Sequence, residues 1–143
     1  MSVNVEALVA KVPTGLLIGS SWRPSSSDEV FDVINPATEE KLAAVSSATS
    51  EDAVAALDAA CAVQQQWAAT SPRERAEILR RAYELVIARA DDFATLMTLE
   101  MGKPLAESHG EVVYGAEFLR WFSEEAVRDY GRYHPTPEGT ASW

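Results

Sequence analysis

Four carboxylates, Glu100, Glu107, Glu111 and Glu117, crowd one short corner and the segment after it, and their type and spacing invite a chemical reading first. Glu107 and Glu111 are four positions apart, so on a helix they share a face and a cation could bridge them. The same spacing is common on solvated helix faces, and no nucleophile accompanies these acids as a catalytic pair would require. The single cysteine, Cys61, lies within an alanine-rich stretch. A reactive thiol needs a helix N-terminus, a cation or a metal to lower its pKa, and none is near in sequence, so Cys61 reads as a small buried hydrophobe. His109 and His134 are too far apart for a ligand motif and read as surface histidines. Gly102-Lys103 lacks the preceding glycine loop and following hydroxyl of a phosphate cradle, and no Gly-x-Ser-x-Gly elbow occurs. Tyr114, Phe118, Trp121 and Phe122 could line a substrate tunnel or fill a core, and composition favours the core. Residue by residue, the chain carries no complete active site.

Composition narrows the partners. With 143 residues the chain fits one domain, which at that size can bury about 68–70% of its unfolded surface. Twenty-two acidic residues against twelve basic ones give a net charge of −10, a field that repels nucleic-acid phosphates and anionic membranes. One cysteine excludes an internal disulfide and a Cys-rich zinc site, and fits a reducing compartment. Residues 1–15 carry Glu6 and Lys11 without a long apolar run, and no segment approaches the ~20 apolar residues of a membrane span. The expectation is a cytoplasmic chain without nucleic-acid or membrane partners.

The elements that must position these residues follow from periodicity and punctuation. Residues 1–14 read as a flexible lead-in ending near Pro13. Residues 15–48 read as a short antiparallel β-meander, with Leu16-Leu17-Ile18 resumed at Trp22, then Val30–Ile34, then Leu42–Val45. Asn35-Pro36 stops the second segment, because proline cannot donate to a ladder. Residues 49–131 read as three helices. The first starts at a Thr49/Asp52 capping box and ends around Trp67 to Thr70. The second starts at Ser71-Pro72-Arg73-Glu74 and carries Leu79, Tyr83, Val86, Ala90, Phe93 and Met97 as one stripe, with Gly102 as its left-handed cap. The third runs from Pro104 to about Tyr130 over Leu105, Val112, Ala116, Leu119 and Ala126. Gly110 and Gly115 each cost about 1 kcal/mol against Ala in a helix and point to close packing or to a bulky neighbour. After Gly131 an irregular exit leads to Thr140–Trp143, which reads as a strand that begins and stops, as in a truncated chain.

The run Leu99-Glu100-Met101-Gly102-Lys103-Pro104-Leu105-Ala106-Glu107, followed by Gly110–Tyr114 and Phe118–Phe122, resembles the corresponding corner of NAD(P)-dependent aldehyde dehydrogenases. Ile18–Trp22, Ile34–Thr38, Trp67 and Arg75 fall in the same order and spacing, and the similarity spans roughly Leu17 to Gly131. Met101–Glu107 with Trp121-Phe122 leans toward the succinate-semialdehyde dehydrogenases. The resemblance implies the N-terminal portion of an α/β oxidoreductase fold: a meander and helices of the dinucleotide-binding domain, then at 132–143 the start of an oligomerisation arm. It also implies a structural monovalent-cation site at the Ile34 carbonyl and Glu100, and a wall of the aldehyde tunnel at Gly115 and Phe118. In the family a Cys thiolate attacks the aldehyde, hydride passes to NAD or NADP, and a Glu-activated water completes hydrolysis to the acid. The motifs holding those groups do not occur here, so no catalytic or cofactor-binding residue is assigned. The isolated chain is expected to be inactive and to take no cofactor alone. Its expected partners are the aldehyde in the parent enzyme and a complementary C-terminal chain or further copies. An alternative is a stand-alone helical interaction module without catalysis, and a third reading is a small metal-binding protein using Glu100, Glu107 and Glu111.

Overall fold

The computed structural model describes residues 4–128, 130 and 131. The exit after Gly131, His134, the strand expected at Thr140–Trp143 and the arm at 132–143 lie outside the described residues. The chain opens on a helix, α1 (Val5–Val9), where the sequence suggests a flexible lead-in. Asn4 Oδ1 accepts from the Ala7 amide at 3.1 Å, and Leu8 is buried where α1 packs on a later helix, α4 (Ala90–Met101). Five residues are too few to hold a helix by themselves, so the tertiary contact of Leu8 decides the outcome.

The expected meander is two separate two-stranded sheets. In the first, β1 (Leu16–Ile18) pairs antiparallel with β2 (Ser21–Arg23) across Gly19-Ser20, with Gly19 at φ +64 as a tight hairpin demands. In the second, β3 (Val30–Ile34) pairs with β4 (Lys41–Ser46), with an irregularity between Val33 and Ile34. Between them Asn35 Oδ1 accepts from the Ala37 amide at 2.9 Å and the Asn35 carbonyl from the Glu39 amide at 2.8 Å, so Asn35-Pro36 opens a tight turn. Pro24 has no amide to offer, and the Ser26 amide is committed to Asp52, so β2 does not continue into a ladder with β3. The hairpins connect instead to neighbouring chain through Ser46 N–H to the Thr14 carbonyl and Ser47 N–H to the Glu29 carbonyl, both 2.8 Å.

Four helices follow where three are expected. Both expected capping boxes form, Thr49/Asp52 on α2 (Ser50–Ala69) and Ser71/Glu74 on α3 (Pro72–Ala88). The long second helix breaks at Arg89, whose φ of −117 and ψ of 21 leave the helical region, and α4 restarts at Ala90. The break turns Ala90 and Ala94 into a small core with Val112 of α5 (Leu105–Glu125), flanked by Val86 and Met97. The apolar stripe keeps its period through the break, which is why it reads as continuous. Gly102, at φ +74, caps α4 by donating to the Thr98 carbonyl at 2.9 Å. Helix α5 ends at Glu125 rather than near Tyr130, and beyond it the Arg128 amide donates to the Glu125 carbonyl at 2.8 Å in a turn.

Helix α5 packs against α3 and α4 through small residues, Ser108, Val112, Ala116 and Ser123, all buried. Fully enclosed Ser108 shares a 2.9 Å hydrogen bond with Thr98 of α4. Helix α2 is different: Val54, Leu57, Val63 and Trp67 are exposed, and so is Cys61, contrary to its reading as a buried hydrophobe. The helix is tied down at its first turn, while none of the described residues covers the face that carries those side chains. No helix among the described residues is long and apolar enough to cross a membrane.

Candidate functional site

The Gly-Lys-Pro corner joins α4 to α5 and rests on the Asn-Pro turn. A Cβ placed on Gly102 would stand 3.0 Å from Pro36 Cγ, so the left-handed cap also permits a close approach that another residue would obstruct. This contact brings the end of β3, with Ile34, and the last turn of α4, with Glu100, to the same region of the molecule. Both Ile34 and Glu100 face solvent. Lys103, mostly buried, places Nζ 2.5 Å from Glu111 Oε1, so the cation beside Glu111 is the chain's own ammonium. Among the described residues no three or more His, Cys, Asp or Glu side chains gather as a metal ion would need. The structure therefore does not assemble Glu100, Glu107 and Glu111 into one site. His109, half exposed, stands 3.7 Å from Asp91 Oδ1 across the α4–α5 contact.

The aromatic group lies on the outer face of α5. Exposures of 68% for Tyr114, 51% for Phe118, 63% for Trp121 and 55% for Phe122 place these rings outside any core formed by the described residues, contrary to the core-filling reading. Spacings of four, three and one put these rings on a stripe displaced from the one bearing Ser108, Val112 and Ala116, whose small residues are buried where α5 packs on α3 and α4. Tyr114 and Phe118 pack edge to face, with centroids 5.4 Å apart and planes at 88°. Together with Trp121, Phe122 and Glu117 they enclose an open depression of about 340 Å³. Gly115 sits beside them on the same helix, and a Cβ there would meet nothing within 4 Å. The face is thus an exposed aromatic surface with free space at Gly115. Its polar edge is organised: Tyr83 OH donates to Glu117 at 3.4 Å, and Arg120 lies 3.5 Å from both Glu117 and Glu124. The Glu117 carboxylate beside it, with help from Tyr83, raises the Arg120 guanidinium pKa.

A third feature was only half visible in the sequence. Asp52, recognisable as a capping residue, is buried and gathers donors from two distant segments. It accepts from the Thr49 amide at 3.0 Å, the Ser26 amide at 3.1 Å and the Ser25 hydroxyl at 3.1 Å, with Arg23 Nη2 3.5 Å away. These bonds, the Thr49 amide foremost, outweigh burial and hold the Asp52 carboxyl well below the usual carboxylate range. The local capping signal predicts the Thr49 contacts; only the fold brings Ser25 and Ser26. A larger half-open groove of about 730 Å³ lies apart from the corner and the aromatic face, between α1 and the α3–α4 junction.

Residues 22–143 match the family model described as the aldehyde dehydrogenase family. Over 98 residues the chain is 78% identical to a succinate-semialdehyde dehydrogenase of Paenarthrobacter nicotinovorans, an alignment covering 68% of this chain and 22% of that protein. Over 115 residues it is 45% identical to the NADP(+) succinate-semialdehyde dehydrogenase GabD of Escherichia coli strain K12, covering 80% of this chain and 24% of the relative. A crystal structure of an E. coli NADP dependent enzyme superposes with a TM-score of 0.87 at 40% identity, covering 95% of this chain and 28% of that one. The chain spans less than a quarter of the length of these two curated relatives.

Proposed function

Because the chain belongs to the aldehyde dehydrogenase family, we propose that it acts as the N-terminal part of an NAD(P)-dependent enzyme oxidising succinic semialdehyde, or a similar aldehyde, to the acid. The observation that carries this reading is the 78% identity over 98 residues to the Paenarthrobacter nicotinovorans succinate-semialdehyde dehydrogenase, and the aromatic face of α5 beside open space at Gly115 agrees with it. In this reading Gly115 and Phe118 form one wall of the aldehyde passage. Phe118 packs edge to face on Tyr114, a contact that favours one orientation of its ring. Gly115 leaves room for the substrate chain to pass the helix backbone.

The corner has a supporting role. The Ile34 carbonyl supplies a neutral dipole and Glu100 a charge to a weakly held monovalent cation, and Gly102 seated on Pro36 fixes the two segments that carry them. The nicotinamide cofactor, NAD or NADP, takes up the electrons of the aldehyde, and no residue of this chain is assigned to hold it. In isolation the chain is inactive, and its exposed apolar faces on α2 and α5 are completed by a complementary C-terminal chain or by further copies. Its acidic surface and single cysteine suit a cytoplasmic setting.

The experiment is a chimaera in which this chain replaces the matching N-terminal segment of the Paenarthrobacter nicotinovorans relative. Retained NAD(P)-linked oxidation of succinic semialdehyde is expected. A chimaera that folds and assembles like the parent yet fails to turn over any semialdehyde overturns the proposal. Turnover by the 143-residue chain alone would refute its inactivity.

A further inference from the structure

We draw no further inference here: the strongest candidate, the half-open groove between α1 and the α3–α4 junction lined by Lys11, Arg89, Asp91, Asp92 and His109, rests on the N-terminus of α4 and mixed surface charge, with no second observation that points to a ligand.

Discussion

Helix α5 has two faces that obey opposite rules. Its inner face presents Ser108, Val112, Ala116 and Ser123 to α3 and α4, and its outer face presents Tyr114, Phe118, Trp121 and Phe122 to solvent. Burying an aromatic side chain removes about 150–250 Å² from water. At roughly 25 cal/mol per Å² that is several kcal/mol for each ring, none of it fully realised here. A sequence shaped only to stabilise these helices would place its largest apolar groups between them. The small residues inside instead let the helix backbones approach closely, and the large ones outside remain available for contacts beyond this layer. Size and burial are inverted, and that inversion separates what holds the helices together from what the helix offers to a ligand or a partner.

The largest effect should come from disturbing the inner face. Ala116 is 2% exposed, and Ala116→Leu forces added methylenes into a closed contact with α3 and α4. Overpacking of this kind typically costs about 1–3 kcal/mol, so the urea midpoint should fall clearly without a change in slope. An unchanged midpoint would mean that the inner face is loosely packed and that the contrast between the two faces is weaker than described.

Helix α2 repeats the contrast along its length, buried at Asp52 and exposed at Val54, Leu57, Val63 and Trp67, and pH can separate the two ends. Folding holds the Asp52 carboxyl below its unfolded value of roughly 3.9. Its stabilising contribution is therefore complete above about pH 4 and is lost as the pH falls from there toward the lower folded value. Asp52→Asn should lower the urea midpoint at pH 7, and the gap to the parent chain should shrink as the pH drops below about 4. A gap independent of pH would show that the side chain acts through shape and neutral hydrogen bonds rather than through charge.

These contrasts mark where the sequence was legible. Caps were readable because their chemistry is local: Thr49 with Asp52, Ser71 with Glu74, and Gly102 after Met101 each satisfy orphan helix groups within a few residues. The break at Arg89 was not readable, since Val86, Ala90, Phe93 and Met97 keep a helical period through it and neither Gly nor Pro marks it. The separation of the hairpins depends on Ser25 and Ser26 turning to Asp52, a pairing across 26 or 27 positions that no local pattern encodes. An alanine-rich setting for Cys61 and composition for the aromatic stripe report apolarity, not which apolar face meets another element. Of the candidate site, Ile34, Glu100, Gly115 and Phe118 came from family resemblance. The Gly102–Pro36 contact and the open space at Gly115 are what the fold adds to them.

Gly115 gives a smaller effect of opposite sign on stability and function. Its added Cβ meets nothing within 4 Å, so Gly115→Ala should gain about 0.5–1 kcal/mol in urea unfolding from helix propensity alone. Gly110→Ala has the same open surroundings and should gain a similar amount. In the chimaera the two should part: Gly115→Ala lowers kcat/KM for succinic semialdehyde severalfold, and Gly110→Ala leaves it unchanged. Equal behaviour of the two variants in turnover would remove Gly115 from the wall.

The smallest effect on stability should accompany the outer face itself. Phe118 is half exposed, and truncation loses its edge contact with Tyr114 and its partial burial while gaining the helix propensity of Ala, so Phe118→Ala should shift the stability of the 143-residue chain by about 0.5 kcal/mol. In the chimaera the same variant should lower kcat/KM about tenfold, which is ~1.4 kcal/mol of lost transition-state stabilisation. The distinction lies in the mismatch: a residue that served only the helical layer would show its effect in urea and carry little into turnover. A large loss of stability with unchanged kcat/KM would return Phe118 to the core. A small loss of stability with a reduced kcat/KM that is specific to the aldehyde, and leaves the KM for the nicotinamide untouched, assigns the ring to the substrate passage rather than to the cofactor side.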